Sequence, residues 1–268
     1  MKPFKQLLML ASITLFSACC SAGSAPVEDA KHQPEAIAKF SKDVEKYAAK
    51  QRANVFIIGR VGRPQKDLPE GVQFTHTALA VYSNITLDSG ESTKGYAIYN
   101  LYQNQGDLGH SSLVTDYPVD FFWGADSLKA GIIVPKPEVQ AGLLALIQNG
   151  GNHVVHNSNY SVLANPFNGQ YQNCTEHTLD MLNAAIFNTT DREELKWLAK
   201  SDFTPQPVKV SRFKLFMGGL FLDDVTTKDH QGKPQTATFT SIARYLNDKD
   251  LLQHSVVLYQ HNASQALL

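Results

Sequence analysis

Apolar positions recur along this chain in two periods, and each period predicts a different element. Ile37, Phe40, Val44, Tyr47 and Ala48 fall at helical spacing behind Pro34, which predicts a helix from Pro34 to about Arg52. Val55 to Val61 is a short apolar run and reads as a strand. Val72 to Tyr82 and Gly95 to Tyr102 alternate with period two, with the turn signal Asp88-Ser89-Gly90 between them. Leu128 to Val134 predicts a further strand ending at Pro135, and Glu138 to Ile147 a helix that stops at Gly150-Gly151. Asn152 to Asn173 is polar, rich in Asn and aperiodic, which predicts a long surface loop. Helices are expected at Cys174 to Phe187, Asp191 to Lys200 and Ser241 to Leu246, and a last strand at Ser255 to Tyr259. Phe213 to Leu222 is apolar but of ambiguous type. Strands gather early and helices late, which points to an α+β fold rather than a regular parallel sheet.

The first residues follow another logic. Lys2 and Lys5 precede the apolar stretch Leu7 to Phe16, and small residues run from Ser17 to Ala25. This order reads as a secretory signal over residues 1–25, with an apolar part too short to span a bilayer. Residues 26–268 are then expected to form a single domain in an exported, periplasmic protein. Phe16-Ser17-Ala18-Cys19 is similar to a bacterial lipobox, so Cys19 is a lipidation candidate. Release in soluble form and anchoring by that lipid are both open, and any membrane attachment is expected through this end alone. The formal net charge of −1 lacks the basic footprint of a nucleic-acid binder.

Of three cysteines, Cys19 and Cys20 lie in the signal, so the remaining domain has only Cys174 and cannot form an internal disulfide. Asn173 is a good N-cap with Glu176 three residues on, which sets Cys174 in the first turn of a helix, where the positive helix end favours a thiolate. Alternation puts Phe74, His76, Ala78, Ala80 and Tyr82 on one strand face, and that face is expected to receive the helix. A hairpin centred on Asp88 sets His76 opposite Asn100, which would orient the imidazole as the third member of a triad. The backbone N–H of Cys174 and a donor from Tyr171, Gln172 or Asn173 are the oxyanion candidates. Three bland readings stand beside these: Phe121-Phe122-Trp123 as core, the Asp223, Asp224, Asp229 and His230 segment as a solvated turn, and His153, His156 and His177 as polar filler rather than zinc ligands with Cys174. No metal and no cofactor are expected.

The segments "IGRVG", "FTHTALAV", "YSVLANPFNGQYQNC", "FLDDVTTKDH" and "TFTSIARYL" resemble, in order, the bacterial domain-of-unknown-function family 2145. That family looks like a circularly permuted branch of the NlpC-type papain-like superfamily, in which the histidine strand precedes the cysteine helix. "NCTEH" is also similar to the Asn-Cys-Glu-His of lecithin-retinol acyltransferase-like proteins, with one residue inserted. The resemblance implies an antiparallel sheet packed against a nucleophile helix, with Cys174 as nucleophile, His76 as base and Asn100 as third polar residue. It implies a thiol hydrolase of amidase, peptidase or acyltransferase type, acting on a peptide, cell-wall or lipid substrate in the cell envelope. Some relatives carry Ser at the position of Cys174, so a non-catalytic binding module of the same fold is the alternative.

Overall fold

The computed structural model describes residues 30–86, 89–209 and 226–268. The expected signal, Cys19, Asp88, the Phe213 to Leu222 run, Asp223 and Asp224 lie outside the described residues. Helix α1 (Pro34–Lys50) has Pro at its start and buries Ile37, Phe40, Val44 and Ala48, while Lys39–Asp43 and Lys42–Glu45 pair on its outer side. Strands β1 (Val55–Val61), β2 (His76–Thr86), β3 (Ser92–Asn104) and β4 (Asp107–Asp116) follow, then α2 (Pro118–Trp123) and β5 (Ser127–Pro135). Next come α3 (Pro137–Gln148), α4 (Gly151–Val155), α5 (Cys174–Phe187) and α6 (Arg192–Asp202). The two-residue strands β6 (Gln206–Pro207) and β7 (Gln235–Thr236) pair with each other. Helix α7 (Phe239–Asp248), β8 (Leu252–Tyr259) and β9 (Ser264–Ala266) complete the chain.

The main sheet has the order β4-β3-β2-β1-β5-β8-β9, and its neighbours are antiparallel throughout. This is an α+β architecture. Helices cover both faces, so β1 is apolar at nearly every position rather than at alternate ones. Val55, Ile57, Leu79 and Val81 pack with Leu179 and Leu182 of α5, Leu143 of α3 and Ile242 of α7. Phe56, Ile58, Ala78, Ala80 and Ile98 pack on the other face with Phe40 of α1 and Phe121 and Phe122 of α2. The paired glycines Gly59 and Gly131 admit the Phe239 ring: a Cβ at Gly131 would stand 2.4 Å from it. Gly142 does the same between helices, because a Cβ there would lie 2.9 Å from the Ala185 carbonyl oxygen of α5.

Expectations for two loops and for one strand register need correction. The Asn152 to Asn173 stretch begins with α4, and Asn157, Ser161, Asn165, Gln172 and Asn173 are buried rather than solvated. Its amides satisfy the backbone of an irregular segment: Asn157 Nδ2 donates to the Gly169 carbonyl and Asn157 Oδ1 accepts from the Asn159 N–H. Asp229 and His230 are not a solvated turn, since the Asp229 carboxylate accepts from the Asn165 N–H at 2.8 Å and His230 Nε2 meets the Leu163 carbonyl at 2.7 Å. The β2–β3 hairpin pairs Leu79 with Tyr99 and Thr86 with Ser92, two residues away from the expected register. Extended past its last pair, this register aims His76 at Tyr102, on which its ring stacks, and His76 and Asn100 stay on the same face because the slip is even.

Candidate functional site

Arg60, His76 and Tyr102 form a row across β1, β2 and β3, on the face covered by α2. Arg60 pairs with His76 in the β1–β2 ladder. The His76 ring stacks on Tyr102 at 4.7 Å between centroids and leans on Phe121 at 5.6 Å. Asn100, one step further along β3, is buried and meets His76 Nε2 through its Oδ1 at 3.0 Å.

The hydrogen bonds around Asn100 fix the tautomer of His76. Asn100 Nδ2 donates to the Ile98 carbonyl at 3.2 Å and to Asp116 Oδ2 at 3.1 Å. A carbonyl only accepts, so the amide nitrogen is on that side and Oδ1 faces the imidazole. His76 therefore carries its proton on Nε2 and leaves Nδ1 as the basic atom. Tyr102 donates its hydroxyl to the same Asp116 oxygen at 2.7 Å, tying ring and carboxylate together. Burial, and then the Arg60 charge, push the imidazole down to about 3, against the Asn100 bond that favours the proton. Burial likewise lifts Asp116 to about 6, despite its bond from Tyr102. The resting ring is neutral.

Cys174 opens α5 as expected. Asn173 caps the helix, its Oδ1 accepting from the Glu176 N–H at 2.9 Å. The helix packs on the face of Thr77, Leu79 and Val81, not on the His76, Ala78 and Ala80 face expected from alternation, and Thr175 Oγ1 donates to Thr77 Oγ1 at 3.2 Å. The sulfur meets β2 at the Thr77 backbone, next to His76 in sequence, in a stretch of β2 beyond the last β2–β3 ladder pair at Leu79 and Tyr99. No hydrogen bond joins Cys174 to His76 among the described residues. Cys174 is buried, and burial pushes its thiol above the ordinary range although Thr77, Thr175 and Arg60 pull the other way. The structure thus joins His76 to Asn100 directly, and brings Cys174 to the adjoining residue of the same strand from the opposite face.

The oxyanion candidates sort unequally. Gln172 spends its side chain on the Asn157 N–H, the Val155 carbonyl and Asp180. Asn173 spends its Nδ2 on the Val162 carbonyl and Thr236. Tyr171 is half-buried with no hydrogen bond among the described residues. The N–H of Cys174, in the first helical turn, has no intrahelical partner and remains the available donor. Behind it, Lys196 of α6 binds Glu176 and Asp180, fixing the start of α5 from beneath. Burial still raises Glu176 to about 8. His177 and His156 lie with ring centroids 6.0 Å apart, but no group of three His, Cys, Asp or Glu residues is arranged to hold a metal ion among the described residues.

A family model described as "Uncharacterized protein conserved in bacteria (DUF2145)" matches residues 47–246. The chain belongs to this family. No curated protein and no solved structure matches the chain. The DUF2145 match runs from the end of α1 into α7 and so contains Arg60, His76, Asn100, Tyr102, Asp116 and Cys174. Arg60, Tyr102 and Asp116 were not singled out by sequence reasoning. An arginine inside the apolar "IGRVG" strand was the available signal for Arg60, since a charge in a buried run needs a reason. Asp116 carried no such signal, because β4 is a polar edge strand with weak alternation.

Proposed function

We propose that this DUF2145 chain is a thiol-dependent acyl-transfer enzyme, a hydrolase or acyltransferase, of papain-like, permuted NlpC type. The supporting observation is His76, whose Nε2–H is held by the buried Asn100 and whose basic Nδ1 is left over, on the strand that Cys174 touches. Thiol and imidazole are both neutral at rest, so the reaction begins from a neutral pair rather than a preformed ion pair. His76 Nδ1 takes the thiol proton as Cys174 Sγ bonds to a substrate carbonyl carbon. The Cys174 N–H stabilises the resulting oxyanion. Collapse expels the leaving group, which takes its proton from His76, and water or another acceptor then cleaves the thioester. Export to the cell envelope, with or without a lipid on Cys19, and an envelope peptide, cell-wall or lipid substrate belong to the same proposal.

The test is acyl-enzyme formation from p-nitrophenyl acetate, followed by p-nitrophenol release and by mass spectrometry of the Cys174 peptide. The expected result is acetylation of Cys174, lost in Cys174→Ala and slowed roughly 100-fold or more in His76→Ala. Acetylation no faster than a free thiol at the same pH, and indifferent to His76, would sink the proposal. The burial of the sulfur favours a second reading, a binding module of the same fold without turnover, and that outcome would point to it.

A further inference from the structure

Arg60 sets a positive charge beside His76 without a hydrogen-bonded counter-ion among the described residues. Its guanidinium lies over the Phe121 ring, 5.6 Å from the centroid, which holds it on the α2 face by cation–π attraction. Its Nε is buried and has no hydrogen-bond partner. Among the described residues the guanidinium makes no hydrogen bond and no ion pair. The nearby carboxylate of Asp116 gives Oδ2 to Asn100 and Tyr102, and its buried Oδ1 makes no hydrogen bond to Arg60 or to any other group. An arginine is always charged and offers a planar fork of donors suited to a carboxylate. The buried, unpartnered Nε costs stability, and a carboxylate from outside the chain would relieve that cost.

The position says what that partner touches. Arg60 is the cross-strand neighbour of His76, and its field reaches Cys174 as well as His76. We infer that Arg60 is the specificity-determining residue of this site and binds a carboxylate that the acyl substrate carries close to its scissile carbonyl. The inference deepens the proposed acyl-transfer reading by naming the substrate class, an anionic acyl compound. With the side chains of Gln172 and Asn173 committed to the fold, Arg60 supplies the positive group that orients the substrate, and the Cys174 N–H meets the carbonyl oxygen.

Two measurements test this. The first is alkylation of Cys174 by iodoacetate and by iodoacetamide, which share a leaving group and differ in charge. The ratio of the two rates, normalised to the same ratio for free glutathione, should favour iodoacetate in the native chain. It should fall about tenfold or more in Arg60→Gln, and Arg60→Lys should restore part of it. A normalised ratio unchanged by Arg60→Gln overturns the inference. The second removes chemistry: Cys174→Ala protein is titrated with N-acetylglycine and with N-acetylglycinamide, followed by amide NMR shifts. The carboxylate should bind more tightly than the amide, and the preference should vanish in Cys174→Ala/Arg60→Gln. Equal binding of both compounds, or a preference that survives loss of Arg60, also overturns it. Thermal melts of the Arg60 variants show whether each is folded. Because the second measurement needs no turnover, a failed acyl-enzyme assay with an intact Arg60-dependent carboxylate preference refutes the enzyme alone, and the reverse pattern refutes the carboxylate site alone.

Discussion

A neutral His76 has a consequence for stability that can be measured without any substrate. Its folded pKa is about 3, against an ordinary 6.5, because burial and Arg60 disfavour the imidazolium. The unfolded chain therefore binds this proton better than the folded one. The stabilising contribution is complete above pH 6.5 and is lost as pH falls from 6.5 towards 3. Between pH 7 and pH 5 the loss from this one ring is about 2 kcal/mol, taking 1.36 kcal/mol per pKa unit. Asp116 and Glu176 act in the opposite sense, since their raised values let the folded state take up protons over the same window. The total pH dependence is thus a poor measure, and the difference between native chain and His76→Gln is the useful one. Urea unfolding at pH 7 and pH 5 should show a native chain that loses about 2 kcal/mol more than His76→Gln. With an m-value of about 2–3 kcal/mol/M, that is a differential midpoint shift of roughly 0.7–1 M. Equal pH responses in the two proteins would mean that His76 titrates near its ordinary value in the fold; a native chain that loses less than His76→Gln would mean a ring held protonated, and the general-base mechanism would give way to an ion pair.

Two structural predictions accompany it. Gly131→Ala sets a Cβ 2.4 Å from the Phe239 ring and should destabilise by about 1–3 kcal/mol in urea titration; a second change, Phe239→Leu, should recover part of the loss, and an unperturbed single variant would contradict the packing described. Lys196→Met leaves Glu176 and Asp180 buried without their cation and should lower stability by about 3–5 kcal/mol, while Lys196→Met/Glu176→Gln/Asp180→Asn should regain most of it. A single variant that melts with the native chain would show that the cluster is solvated.

Local chemistry was the legible part of this sequence. The start of α5 followed from Asn173 and Glu176, because a helix N-terminus has few ways to satisfy its free N–H groups, and the cap hydrogen bond is present. His76 and Asn100 met because period two survives an even register slip. The side on which α5 docks was not legible. Both faces of β2 are apolar or small, His76-Ala78-Ala80 on one and Thr77-Leu79-Val81 on the other, and helices cover both. Alternation identifies two faces but carries no label for which helix takes which. The buried amides of residues 157–173 were misread for a related reason: an Asn that serves irregular backbone inside a protein looks, in sequence, like an Asn in solvent.

The docking of α5 on the far face reframes how Cys174 and His76 can cooperate. A continuous sheet would separate them, since neighbouring side chains of one strand point to opposite sides. Here the ladder between β2 and β3 stops at Leu79 and Tyr99, while β2 continues back to His76 and β3 on to Asn104. Beyond that last pair β2 stays laddered to β1 through Gly59–Thr77 and Arg60–His76 but is open on its β3 side, where the sulfur can reach the Thr77 backbone. The residues at the opening are small and hydroxylic on the α5 side, Thr77 and Thr175, and aromatic on the other, Tyr102 and Phe121. Such an arrangement keeps water from a thiol that burial holds in its neutral form. Under the proposed mechanism, the charge developing on His76 would be confined to a site where Asn100 already holds the Nε2 proton, so little reorganisation would be needed when Nδ1 takes the second one.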